Sequence, residues 1–112
     1  MVAISIRYEG GLRCRATHGP SGQTLVTDAP ADNHGRGEAF SPTDLVAAAL
    51  GTCVLTVMAI FAERHGWDLA GSEAHVEKRM VADPARRIAA LEIVVRVPVE
   101  LTPEAREALE RV

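Results

Sequence analysis

An α+β domain, with antiparallel strands curled around one long central helix, is what this 112-residue sequence predicts. Three observations carry the prediction. An uncharged run from Leu45 to Ala62 follows a strong helix-start signal at Ser41, three short alternating segments precede it, and two long alternating segments follow it.

The length suits one domain, and folding at this size removes roughly two thirds of the extended chain's surface from water. Hydrophobic residues make up 47% of the chain but aromatics only 4%, so Val, Ile, Leu and Ala must fill the interior. A partner subunit would add the burial that large rings do not supply. The formal net charge of -3 argues against nucleic acid as a ligand, because neutralising phosphates takes clustered Lys and Arg that this chain lacks.

The first strands read directly. Val2, Ile4 and Ile6 alternate with Ser5 and Arg7, and Glu9-Gly10-Gly11 supplies a turn, so the chain opens with a hairpin. Leu12, Cys14 and Ala16 share one side of the second strand, with Arg13, Arg15 and Thr17 on the other. Cys14 is expected to face the core. His18-Gly19-Pro20-Ser21-Gly22 reads as another turn, and a short strand through Thr24, Leu25 and Val26 completes a meander. The stretch from Asp28 to Phe40 has no periodicity and is rich in turn formers, the pattern of a functional loop or lid.

Ser41 can cap the next helix, Pro42 suits its first position, and Asp44 stands near the place of a capping-box acid. Arg64, His65 and Gly66 supply the matching stop signal. The uncharged run approaches the length of a membrane span, yet it contains Gly51, Thr52, Cys53 and Thr56 and has no Trp or Tyr belt. A buried central helix of a non-membrane protein is the expectation. Trp67 to Val81 alternates loosely, Asp83-Pro84-Ala85 breaks the pattern, and Leu91, Ile93, Val95, Val97 and Val99 alternate strictly, predicting a long hairpin. Thr102-Pro103-Glu104 opens a second helix whose pattern is still running at Val112.

Chemistry centres on Cys53. Its helical stripe holds Pro42, Val46, Ala49, Leu50, Thr56, Val57, Ile60 and Arg64, apolar except at its ends. A thiol sealed among aliphatics is inert, so reactivity needs a cation and access from outside. Cys53 lies about three turns into the helix, too deep for the helix dipole to ionise it alone. Arg13 and Arg15, on one face of the second strand, are the candidate cations; taken alone, their pattern slightly favours a solvated strand face. The four histidines show no zincin spacing and no paired cysteines, and Gly35-Arg36-Gly37 lacks the Lys and Ser or Thr of a phosphate loop. Neither metal nor cofactor is expected. Two cysteines and no charged-then-apolar leader point to a reduced, cytoplasmic protein.

The hairpin start, the Gly-rich loop, and FSPTDLVAAALGTC leading to AERHGWDL closely resemble the OsmC/Ohr family of thiol-dependent hydroperoxide reductases over essentially the whole chain. The resemblance implies an intertwined homodimer, a peroxidatic cysteine at Cys53, an arginine from the early strands holding thiolate and peroxide, and a carboxylate orienting that arginine. Arg13 ranks first because it closely follows Gly10-Gly11, and Arg15 second. The implied partners are an organic hydroperoxide and a thiol or dithiol reductant, with no nucleic acid and no membrane. Two departures stand out. Thr43 occupies the place of the family's helix-start glutamate, leaving Glu38 or Asp44 as substitutes, and Cys14 is not in the family's resolving position. The single domain over residues 1–112 is also expected to lack the family's C-terminal helix end and last strand. The rival reading is a non-catalytic dimeric module that binds a small hydrophobic ligand.

Overall fold

The computed structural model describes all residues from Met1 to Val112. The chain is α+β and divides into two compact units, Met1–Val46 and Ala47–Val112.

In the first unit, β1 (Ile4–Gly10), β2 (Arg13–His18) and β3 (Thr24–Asp28) form an antiparallel meander in the order β1-β2-β3. Gly10 and Gly11 take positive φ at the first turn, which glycine adopts without steric penalty. Ile4 pairs with His18, Ile6 with Ala16 and Tyr8 with Cys14; Cys14 in turn pairs with Thr27 and Ala16 with Leu25. Ile4, Ile6, Tyr8, Cys14, Ala16 and Leu25 therefore share one sheet face. That face is not a core, contrary to the expectation for Cys14. Ile6 is 70% exposed, and Cys14 is only half-buried.

The stretch after β3 is compact rather than structureless. A 3₁₀ turn at Ala31–Asn33 is followed by His34 in the left-handed region, and the Gly35 and Gly37 amides donate to the Pro30 and Ala29 carbonyls. Gly35 packs so tightly on the Ala29 carbonyl that no Cβ fits there. Asp28 N–H donates to the Phe40 carbonyl at 3.1 Å, tying the two ends of the loop together.

The long helix α1 runs from Pro42 to Glu63 and begins as the sequence predicts. Ser41 N–H donates to Asp44 Oδ2 at 2.9 Å, and Asp44 N–H donates to Ser41 Oγ at 3.1 Å. The box is reciprocal, with Asp doing the work of Glu. At the far end Gly66 takes a φ of +73°.

In the second unit, β4 (Glu73–Val81) and β5 (Arg87–Arg96) form a two-stranded antiparallel sheet, followed by α2 (Pro103–Glu110). The strand expected from Trp67 starts only at Glu73, because Asp68 Oδ1 draws the Ala70 amide into a turn and Gly71 takes positive φ. The second helix ends at Glu110 rather than running through Val112. Its start is capped by Thr102 Oγ1, which accepts the Ala105 N–H at 3.1 Å. Ala62, Leu69 and Leu109 are its buried core, flanked by Met58, Phe61, Trp67, Val97 and Leu101.

Gly51 sets how closely α1 meets this sheet. A Cβ there would stand 3.1 Å from Val76 Cγ2, so glycine permits an approach that alanine would crowd. The buried side of α1 thus carries Ala47, Gly51 and Ala62. The opposite side, which carries Cys53, is open.

Candidate functional site

Cys53 lies at mid-length on α1, and the helical repeat puts Val46, Ala49, Thr56, Val57 and Ile60 beside it. All of these residues are exposed, and so is Cys53. The sequence suggested a thiol embedded among aliphatics. The aliphatics are present and stay about half exposed, because small residues on the opposite stripe take the sheet contact. The access that thiol chemistry requires is therefore met. Cys53 and Cys14 are both free thiols.

The candidate arginines have different surroundings. Arg15 Nε donates to Glu9 Oε2 at 3.0 Å, and both side chains are well exposed. Pairs of this kind contribute little to stability and hold their geometry loosely. Arg13 is held by two carboxylates. Its Nη2 donates to Glu38 Oε2 at 2.7 Å and lies 3.5 Å from Asp28 Oδ2. Of the two carboxylates suggested by sequence, Glu38 is thus the one on Arg13, and Asp44 is engaged by the helix cap.

Asp28 escaped the sequence reading. Its side chain has 0% exposure, and its Oδ2 also accepts the Glu38 N–H at 3.1 Å. The Glu38 amide holds the Asp28 carboxyl below the usual carboxylate range; burial opposes this, and the charge and hydrogen bond of Arg13 and the Arg36 amide reinforce it. A signal for it existed. Carried through the His18–Gly22 turn, antiparallel register puts Asp28 directly opposite Arg13.

Two buried polar atoms in this cluster have no partner within the chain: Arg13 Nε, a donor, and Asp28 Oδ1, an acceptor. Arg13 is therefore gripped through one terminal nitrogen, while its Nε–H keeps unspent capacity to bind an oxygen atom.

No group of three or more His, Cys, Asp or Glu side chains could hold a metal ion. One helix, Pro42–Glu63, is long and apolar enough to cross a membrane by length and composition.

Comparison with known proteins gives a consistent picture. A family model described as OsmC-like protein matches residues 35–112. Among solved structures, a candidate osmotic stress induced and detoxification response protein of Psychrobacter arcticus is 41% identical, with a TM-score of 0.93 over 99% of this chain and 80% of its own. An organic hydroperoxide resistance protein OsmC of Legionella pneumophila gives a TM-score of 0.75 at 19% identity, covering 97% of this chain and 78% of its own. A candidate organic hydroperoxide resistance protein of Vibrio cholerae, solved with captopril in one of its active sites, gives 0.72 at 14% identity, with coverages of 97% and 76%. The last two support the fold alone. No curated protein matches.

Proposed function

Because this chain belongs to the OsmC-like family, we propose that it is a thiol-dependent peroxidase that reduces organic hydroperoxides to alcohols through Cys53, with Arg13 as the arginine that serves the thiolate. The carrying observation is the open position of Cys53 in the middle of an exposed apolar stripe, where an alkyl hydroperoxide can lie.

In the proposed cycle, the Cys53 thiolate attacks the distal peroxide oxygen, forming the S–O bond as the O–O bond breaks. Cys53 becomes a sulfenic acid, and the departing alkoxide takes up a proton to give the alcohol. A first equivalent of external thiol condenses with the sulfenic acid, releasing water and leaving a mixed disulfide. A second thiol, or the other arm of a dithiol, then restores Cys53. Arg13 ranks above Arg15 because a guanidinium anchored by two carboxylates is pre-organised, whereas Arg15 is held by one exposed pair.

The proposal includes a homodimer. The chain exposes 8291 Å², whereas two separately compact pieces with the sizes of its two units would together expose only about 7,200 Å². The excess is about 1,100 Å², more than the roughly 800 Å² that each partner buries in a standard interface. The exposed face of β1 and the flank of the Cys53 stripe at Val57 and Ile60 are the surfaces that a second copy would cover, leaving Cys53 itself at the open edge of the contact where the hydroperoxide enters. The same reading makes the protein a cytoplasmic one and assigns the apolar helix to protein contact rather than to lipid.

Mixing the reduced protein with cumene hydroperoxide and trapping the product with dimedone tests the reading. The expected result is stoichiometric sulfenate at Cys53, faster with cumene hydroperoxide than with hydrogen peroxide, and none in Cys53→Ser. An unmodified Cys53 after excess organic hydroperoxide refutes it and favours a ligand-binding module.

A further inference from the structure

Resting on the peroxidase reading, we propose that Asp28 is the residue that positions Arg13, and that Glu38 is a secondary, surface partner whose own place Asp28 sets.

The two carboxylates on Arg13 differ in what holds them. The Glu38 side chain is 55% exposed, and that of Asp28 has no exposure. An exposed ion pair, however short, competes with water and with the side chain's own rotamers. A buried carboxylate has no such freedom, and leaving it without its cation is strongly unfavourable. The 2.7 Å contact to Glu38 is the shorter one, but the 3.5 Å contact to Asp28 is the one the fold cannot relax.

Asp28 also stands upstream of Glu38. One oxygen, Asp28 Oδ2, receives both the Glu38 backbone N–H and the Arg13 guanidinium. The Asp28 N–H holds the Phe40 carbonyl, so this single residue closes the loop from inside and ties its far end to β3. The Glu38 carboxylate reaches Arg13 because its backbone is fastened to Asp28. The sheet register, which sets Arg13 and Asp28 opposite each other on β2 and β3, makes the arrangement independent of the helix start. That region has Thr43 where a helix-start glutamate would otherwise stand, and its own acid, Asp44, closes the cap. Asp28 touches no reacting atom in this scheme; it acts through Arg13.

The test compares the full chain with Asp28→Asn, Glu38→Gln, Arg13→Ala and the double variant Asp28→Asn with Arg13→Ala. Arg13 is followed by the NMR signal of its Nε–H, assigned by its loss in Arg13→Ala. The unaltered chain should show a dispersed, slowly exchanging signal. Glu38→Gln should keep it, while Asp28→Asn should merge it with the mobile arginines. The second-order rate of Cys53 with cumene hydroperoxide should fall about a hundredfold in Asp28→Asn, as expected when a buried charge pair loses one member, and only a few-fold in Glu38→Gln. Asp28→Asn should cost nothing further once Arg13 is alanine, which a merely structural role would not reproduce. An undisturbed Arg13 signal in Asp28→Asn, a rate within threefold of the original, or an added loss on top of Arg13→Ala overturns the inference.

If Asp28→Asn does not fold, hydrogen exchange on the unaltered chain decides. Similar protection of the Glu38 amide and the Arg13 Nε hydrogen supports a shared anchor. Free-guanidinium exchange at Arg13 beside a protected Glu38 amide overturns it. Failure of the peroxidase reading looks different: the unaltered chain is inert to hydroperoxide, yet Asp28→Asn still releases the Arg13 signal.

Discussion

Replacing Val57 and Ile60 together with aspartate tests whether the stripe beside Cys53 is a protein contact. The two residues are 41% and 48% exposed, so roughly half of each side chain is still available to a partner. Full burial of Val or Ile contributes about 1.5–3 kcal/mol, so the uncovered half contributes about 1 kcal/mol per residue. Two residues in each of two copies give about 4 kcal/mol, a weakening of the dimer by about a thousandfold. Placing carboxylates against an apolar partner adds a desolvation cost, so a thousandfold is the floor. Sedimentation velocity in detergent-free buffer, from tens of nanomolar to tens of micromolar chain, reads the change. The original chain should be dimeric across the range and the double variant monomeric, with both keeping the same far-UV spectrum. A monomeric original chain refutes the reasoning outright. A variant that still dimerises, while Ile6→Asp dissociates, refutes it for the helix and transfers the contact to the open face of β1.

Further expectations concern stability and the loop. Gly35→Ala forces a methyl group into the Ala29 carbonyl and so must reshape the segment that carries Glu38; the hydroperoxide rate should fall a few-fold and the chain should lose about 2 kcal/mol, as overpacked positions do. Thr102→Ala removes the side-chain acceptor for the Ala105 amide and should cost about 1 kcal/mol by chemical denaturation, with no change in the rate of Cys53 oxidation. Asp28 has its carboxyl held below 3.8 in the fold, so its contribution is present above that value and disappears as the pH falls through the lower folded value. Acid titration should therefore show a loss of stability below pH 3.8 that is absent from Asp28→Asn; identical acid profiles would contradict the assignment.

Local rules made much of the fold legible. Alternation located β1, β2, β3 and the body of β5, although β5 stops at Arg96 and leaves Val97 and Val99 outside it, where Pro98 has no N–H to give a ladder; the Ser41-Pro42 start and the Gly66 stop bracketed α1, because each is a short-range consequence of side-chain geometry and backbone hydrogen bonding. The false start of β4 at Trp67 came from reading loose alternation through a turn held by Asp68 and Gly71. Burial was the harder quantity. An uncharged helix reads as buried from sequence alone, but which stripe meets the sheet is decided by where small side chains permit close approach, here at Gly51. That inverted the expectation for Cys53 and left Cys14 on an open face. Among the candidate residues, Cys53 in the second unit and Arg13 and Glu38 in the first were all named from sequence. Asp28 was not, because its significance arises from pairing across two strands and from a loop closing over it, neither of which is visible along the chain.

The reciprocal cap at Ser41 and Asp44 reaches beyond helix stability. With the acid of the first turn spent on backbone amides, the electrostatic support for the arginine is written into a different stretch of the chain, the hairpin from Arg13 to Asp28 and the loop that follows. A search for similar proteins keyed to a glutamate at the start of the cysteine helix would pass over this one. An acidic residue lying across the ladder from the arginine is the signature to seek instead.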